Sequence, residues 1–238
     1  MPTLFAPAKL TTRLHITGVR ADGYHEVDAE MVSLDFGDRL ELTPGGSGFE
    51  VDRGRGPTGG DPDDLVLKAL EMVGASAGVV LHKVVPAGAG LGGGSSDAAA
   101  ILRWAGMSDL HEAARLGADV PFCVLGGRAR VRGIGELVEP MEFEERLFTL
   151  LTPPIHCSTP QVYRRWDELG GPEGGNDNDL EPAALDLHPE LEPWRELLAE
   201  RTGQRPRLAG SGSTWWVEGD HPGPRHVVTR TVAPPGRV

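Results

Sequence analysis

The sequence predicts an α+β protein in two domains, on three observations. Strand-like and helix-like segments are mixed along the chain without the strict alternation of a doubly wound sheet. The 238 residues suffice for one large core or two smaller ones. A proline-punctuated stretch, from Pro140 to the Pro153-Pro154 pair, interrupts regular structure where a second domain would begin. The first domain is expected over 1–140 and the second over 141–238.

Each element follows from its pattern. Leu10 to Thr17 reads as a strand, with Leu10, Leu14 and Ile16 apolar. Val32 to Leu42 reads as a second, bent at Gly37. Gly45 to Gly60 is turn-rich and suits a hairpin or loop. Asp64 to Gly74 has helical spacing, with Asp61, Asp63 and Asp64 as candidate caps. Gly78 to Val85 is valine-rich and suits a buried strand. Ser95 to Ala105 is a helix whose Ala98, Ala99 and Ala100 allow close approach to a neighbour. Asp109 to Leu116 is a short helix ended by Gly117. Gly127 to Val138 and Leu147 to Leu151 are strands. Thr159 to Leu169 and Pro189 to Glu200 are helices, the second with Leu191, Trp194, Leu197 and Leu198 on one stripe. Val227 to Val232 suits a last strand.

Composition narrows the function. With 39% hydrophobic and 24% charged residues the chain has the make-up of a soluble globular protein. A formal net charge of -12 argues against nucleic-acid binding through a broad basic face. A small anionic ligand stays compatible, because a local cradle of backbone N–H groups outweighs distant surface charge. Cys123 and Cys157 lack metal-type spacing and are expected as free thiols. No stretch approaches a membrane span and no secretory signal is visible, so the expected address is the cytoplasm, with no membrane partner.

The densest signal is Pro86-Ala-Gly-Ala-Gly-Leu-Gly-Gly-Gly-Ser-Ser96. Bare backbone between a strand and a helix lets successive N–H groups converge on an anion. The helix N-terminus behind Ser95, Ser96 and Asp97 would add its dipole. Gly88, Gly90 and Gly93 also satisfy a G-x-G-x-x-G dinucleotide fingerprint, though in a poor β–α context. A P-loop nearly fails, because no lysine follows the glycines. A purely structural glycine turn is the remaining alternative.

The whole pattern, Pro86, Gly88, Gly90, Leu91, Gly92, Gly93, Gly94, Ser95 and Ser96, resembles the ATP-binding motif of the galactokinase, homoserine kinase, mevalonate kinase and phosphomevalonate kinase superfamily. Ala6-Pro7-Ala8-Lys9-Leu10 and Arg20-Ala-Asp-Gly-Tyr24-His25 resemble its 4-diphosphocytidyl-2-C-methyl-D-erythritol kinase family. Gly117-Ala-Asp119-Val-Pro-Phe122, Gly133-Ile-Gly-Glu136, Asn178-Asp179-Leu180 and Gly210-Ser211-Gly-Ser-Thr214 agree with that family. The resemblance runs from about Ala6 to Thr214.

That resemblance implies a two-domain small-molecule kinase fold with its active site in the interdomain cleft. It implies ATP as co-substrate, accompanied by Mg²⁺ with ligands unassigned, and a small cytidine diphosphate substrate phosphorylated on its 2-hydroxyl. Lys9 and Asp119 fall where the family has its catalytic pair. By position alone Lys9 would be an ordinary surface lysine, and Asp119 a cap or turn residue as readily as a proton acceptor. Tyr24 suits stacking on a cytosine ring and His25 suits its polar edge. Tyr163 is the second aromatic, and Thr159, Gly210 and Ser211 line the substrate side. Ser96 would touch phosphate or metal through its hydroxyl, a role compatible with capping the helix.

Two features depart from the family pattern. Thr11 stands where asparagine is usual, so that contact loses a paired donor and acceptor. Trp215-Trp216 is bulkier than the small or β-branched residues expected after the third glycine motif. Two rivals stay open: a sister kinase of the superfamily, and a nucleotide-binding protein without catalysis.

Overall fold

Two long strands, β1 (Thr3–Val19) and β2 (His25–Pro44), pair antiparallel and form the spine of the molecule. They extend well beyond the spans expected from apolar patterning, because their charged outer residues pair across the ladder: Arg13 with Asp28, Arg20 with Glu26. The turn between them closes through Gly23, whose N–H donates to the Arg20 carbonyl at φ +86°. The computed structural model describes residues 1–54, 57–61 and 64–235.

The other edge of β2 changes partner half-way. Its C-terminal half pairs with β5 (Ala77–His82) and its N-terminal half with β6 (Arg128–Gly133). Gly37 lies between, where a Cβ would stand 2.1 Å from the Ala6 carbonyl oxygen. The expected bend is thus a close approach that only glycine allows. β3 (Phe49–Asp52) runs parallel to β5 and carries β4 (Pro57–Gly59), so the turn-rich 45–60 segment folds as paired strands over its described part. β7 (Leu137–Pro140) completes a seven-stranded sheet. The strand expected over 127–138 is therefore a hairpin, broken at Gly135 with φ +122°.

One face of this sheet is covered by α1 (Leu65–Met72), α2 (Gly93–Trp104), α3 (Leu110–Ala114) and α4 (Val120–Leu125). Asp64 caps α1 by accepting from the Val66 N–H, and Asp109 caps α3. Of the three candidate caps Asp64 takes the N-cap position, and Asp63 lies outside the described residues. Ala98, Ala99 and Ala100 are buried against the sheet, with Ile101 and Leu102 beside them. Each fully buried Leu or Ile contributes about 1.5–3 kcal/mol. α4 escapes a periodicity reading because it is short and holds Pro121, which is tolerated in a first turn.

The second sheet has the order β11-β8-β10-β9, all antiparallel. Its strands are β8 (Leu147–Leu151), β9 (Arg207–Leu208), β10 (Trp215–Glu218) and β11 (His226–Arg230). α5 (Thr159–Glu168), α6 (Glu181–Leu187) and α7 (Glu192–Thr202) pack on it. Leu191 and Leu198 are fully buried, with Trp194 and Leu197 at the margin, as the stripe predicts. A third apolar cluster joins the two sheets: Leu10 and Leu34 from one, Phe148 and Trp216 from the other, Leu91 from the glycine loop. The fold is α+β with two domains. No helix among the described residues is long and apolar enough to cross a membrane. Cys123 and Cys157 are buried free thiols.

The two tryptophans of β10 are both buried but differ in polarity. Trp215 donates its indole N–H to the Leu191 carbonyl at 3.1 Å, whereas the Trp216 indole nitrogen has no partner. Trp215→Phe should therefore destabilise more than Trp216→Phe, by about 1–3 kcal/mol, since it strands a buried carbonyl. The urea midpoints of the two variants measure this.

Candidate active site

The site begins with a slip in the β1–β2 ladder. Between Pro7 and Lys9 the partners on β2 jump from Gly37 to Ser33. The Lys9 N–H donates instead to the Leu91 carbonyl, at 2.9 Å, tying β1 to the glycine loop. The Lys9 side chain then passes over Gly92, where a Cβ would stand 2.6 Å from Lys9 Cγ. Its ammonium ends 3.1 Å from Asp119 Oδ2 and donates to the Thr11 hydroxyl at 3.1 Å. Lys9 is 5% exposed, so this charge sits in a largely dry place.

The loop itself alternates its backbone. Gly88, Gly90 and Gly92 have φ of +69°, +77° and +67°, the alternation that turns N–H groups into a shared concavity. Gly92 is the N-cap of α2 and offers no side chain to the first turn. The N–H groups of Gly93, Gly94 and Ser95 thus have no acceptor from the helix, the kind of open end that suits an anion. The helix starts at Gly93, before the expected Ser95, and Gly93 packs where a Cβ would meet Val85 at 3.0 Å.

A cavity of about 840 Å³ opens here. Lys9, Thr11 and Asp119 line it with the loop from Pro86 to Ser95. Tyr24, His25, Thr159, Tyr163, Gly210 and Ser211 line it too. The structure thus gathers every sequence-predicted site residue but one. Ser96 is 1% exposed, and its hydroxyl donates to the Pro7 carbonyl at 2.6 Å. The group expected to reach phosphate or metal instead pins α2 to β1. Thr11 also differs from expectation, since its hydroxyl accepts from Lys9. Tyr24 is 60% exposed at the rim, while His25 packs against Tyr163 with centroids 4.8 Å apart. The Thr159 and Ser211 hydroxyls are hydrogen-bonded at 2.9 Å.

A model of the GHMP kinases N terminal domain matches residues 64–127. The 4-diphosphocytidyl-2-C-methyl-D-erythritol kinase of Paracoccus denitrificans is 38% identical over 88% of this chain and 84% of its own. The chain belongs to the GHMP kinases. The enzyme of the same name from Dinoroseobacter shibae is 39% identical, over 88% of this chain and 83% of its own. A crystal structure of 4-(cytidine 5'-diphospho)-2C-methyl-D-erythritol kinase superposes with a TM-score of 0.78 at 30% identity, covering 98% of this chain and 100% of that one. As a GHMP kinase the protein is a phosphotransferase.

Sequence reasoning missed a second charged cluster in this GHMP kinase. Lys83 donates to Asp38 at 2.5 Å and to Asp97 at 2.8 Å. Asp38 also accepts from the Val84 and Val85 N–H groups, fixing the strand that feeds the loop. A lysine closing a valine-rich strand was the available signal. Burial opposes the Lys83 charge, but Asp97 and Asp38 outweigh it and hold its pKa above the ordinary value. Burial pushes Asp97 up to about 7, with Lys83 pulling back. Two carboxylates share one ammonium, and Asp97 Oδ1 is buried without a partner.

The Asn178-Asp179 pair also takes a definite role. Asn178 donates to the Leu208 and Gly210 carbonyls, and Asp179 accepts from the Ile16 N–H. Together they clamp the third glycine motif to β1.

Two outcomes follow. Gly92→Ala forces a side chain into a left-handed position and onto Lys9, costing about 1–2 kcal/mol for the backbone alone. It should lower the melting temperature and abolish most phosphotransfer, both readable on one preparation. The raised Asp97 pKa means that the folded state holds a proton which the unfolded chain releases near pH 4. This contribution is complete below that point and is lost as pH rises to about 7. Asp97→Asn should therefore gain melting temperature relative to the parent from pH 5 to pH 8; a constant difference refutes the shift.

Proposed function

We propose that this GHMP kinase transfers the γ-phosphoryl group of ATP to the 2-hydroxyl of 4-diphosphocytidyl-2-C-methyl-D-erythritol, within isoprenoid precursor synthesis. The observation that carries the reading is the content of one cavity. It holds an anion cradle of backbone N–H groups, a lysine–aspartate pair at its edge, and an aromatic–imidazole group suited to a pyrimidine. A sister substrate such as homoserine or mevalonate has no base to engage Tyr24, His25 and Tyr163. Relatives at 38% and 39% identity carry this substrate in their names.

The chemistry needs a held triphosphate, an aligned alcohol and compensation of charge. The loop N–H groups and the open end of α2 hold the phosphates. Asp119 orients the alcohol and takes its proton as the oxygen attacks phosphorus and the bond to the bridging β–γ oxygen breaks, releasing ADP. Lys9, 3.1 Å from Asp119, fixes the direction of that carboxylate and faces the negative charge of the transferring group. Thr11 accepts from the same ammonium and holds its direction.

Magnesium fits this wall as a passenger of the nucleotide. Among the described residues no cluster of three or more His, Cys, Asp or Glu side chains could cage an ion. A hydrated Mg²⁺ needs only one or two carboxylates plus phosphate oxygens, and Asp64 and Asp97 line the cavity beside the loop as well as Asp119. When bound, the ion would neutralise phosphate charge.

Incubation with ATP, Mg²⁺ and the cytidine substrate should release ADP, and Asp119→Asn should lower kcat roughly 10²–10⁴-fold. ADP formed with homoserine or another simple alcohol, and not with the cytidine substrate, would transfer the assignment to a sister kinase. ATP binding without turnover of any alcohol would leave a nucleotide-binding protein.

A further inference from the structure

His25 is held by one face of α5. Tyr163, Trp166 and Asp167 stand at i, i+3 and i+4, the spacing that brings side chains together on a helix. All three meet the imidazole: the Tyr163 ring at 4.8 Å, the Trp166 ring edge-on at 5.5 Å, and Asp167 Oδ1 at 2.8 Å from Nε2. Trp166 is anchored in turn by its indole N–H donating to the Pro172 carbonyl at 2.9 Å. The His25 side chain is only 9% exposed, whereas Asp167 is 46% exposed. The ring therefore cannot turn freely, and its one carboxylate partner is fixed.

The hydrogen bond decides which nitrogen is which. A carboxylate only accepts, so Nε2 carries the proton toward Asp167. In the neutral ring, Nδ1 is then an acceptor. Among the described residues Nδ1 has no hydrogen-bond partner, and both His25 and Asp167 line the cavity. An acceptor at that spot complements the 4-amino group of cytosine. Against the 4-carbonyl of uracil it sets lone pair against lone pair.

We infer that Asp167 is the positioning residue that selects cytosine over uracil, by holding His25 in the tautomer whose Nδ1 accepts from the 4-amino group. This rests on the cytidine reading proposed above and names the source of its base specificity. Asp167 acts through His25 and touches neither phosphate nor the reacting hydroxyl. A role limited to packing would affect both pyrimidines alike.

The test is calorimetric titration of the full chain with CDP and with UDP, in a buffer alkaline enough to keep imidazoles neutral. Parent protein should bind CDP more tightly than UDP. Asp167→Ala should shrink that preference on the order of 10-fold, by weakening CDP and not UDP. Asp167→Asn, whose amide oxygen still accepts from Nε2–H, should restore most of it. With the full substrate the Asp167→Ala loss should fall on KM more than on kcat. Equal weakening of CDP and UDP in Asp167→Ala, or unchanged preference, overturns the inference while leaving the cytidine reading intact. Failure of the parent protein to bind CDP overturns both. Melting curves of the variants confirm folding, which the exposure of Asp167 favours.

Discussion

The passage of Lys9 over Gly92 is the contact on which the site depends. It joins three things that the chain order keeps apart: the irregular point of β1, the left-handed N-cap of α2, and the start of α4 at Asp119. The backbone bond from Lys9 N–H to the Leu91 carbonyl sets the distance between strand and loop. At that distance a side chain on residue 92 has no room, and the lysine stem takes the space. Asp119 then meets the ammonium because α4 begins there and its N-cap side chain caps nothing else. A buried ion pair of this kind is costly to form and costly to break. It is tolerated here because the pair lines an open cavity, with the Asp119 side chain 31% exposed.

The loop is also fastened from its far side. The Gly88 carbonyl accepts from the Cys157 and Ser213 N–H groups, and the Ala89 carbonyl from Thr214. Gly90 lies where a Cβ would stand 2.0 Å from the Ala209 carbonyl oxygen. The loop over 86–96 and the glycine motif over 210–214 are therefore one packed object, reinforced by Asn178 bonding Leu208 and Gly210. The apolar cluster that includes Leu10, Leu91 and Trp216 lies beneath this junction. The bulk of Trp215 and Trp216, unusual by family pattern, is absorbed in two places: Trp216 in this cluster and Trp215 in the core of the second domain beside Leu191 and Leu198.

Two buried charge clusters flank the same loop with different consequences. Lys9 pairs with one carboxylate that is a third exposed. Lys83 pairs with two that are buried, leaving one carboxylate oxygen unsatisfied. The first arrangement keeps a group available to a ligand. The second braces the strand that enters the loop and makes its stability sensitive to protonation. The imidazole of His25 is a third device, oriented by a helix face from the other domain.

Local chemistry was enough to make the glycine loop, its helix, the Asp64 cap among three candidates, and the α7 stripe legible in the sequence. Backbone freedom, capping and periodicity act over a few residues, so each leaves its mark in a short window. The same holds for the α+β class. The extent of β1 and β2, the short helices α4 and α6, and strand β10 were not legible, because paired ladders and buried tryptophans depend on distant partners. For the site, the sequence by itself determined which residue types were on hand: bare backbone for an anion, a lysine, an aspartate, a histidine beside a tyrosine. Only the tertiary structure decided that Ser96 turns to Pro7, that Lys83 is shared by Asp38 and Asp97, and that Asp167 holds His25. Those outcomes are set by distances between residues far apart in the chain, and hydrogen-bond direction and burial follow from such distances alone.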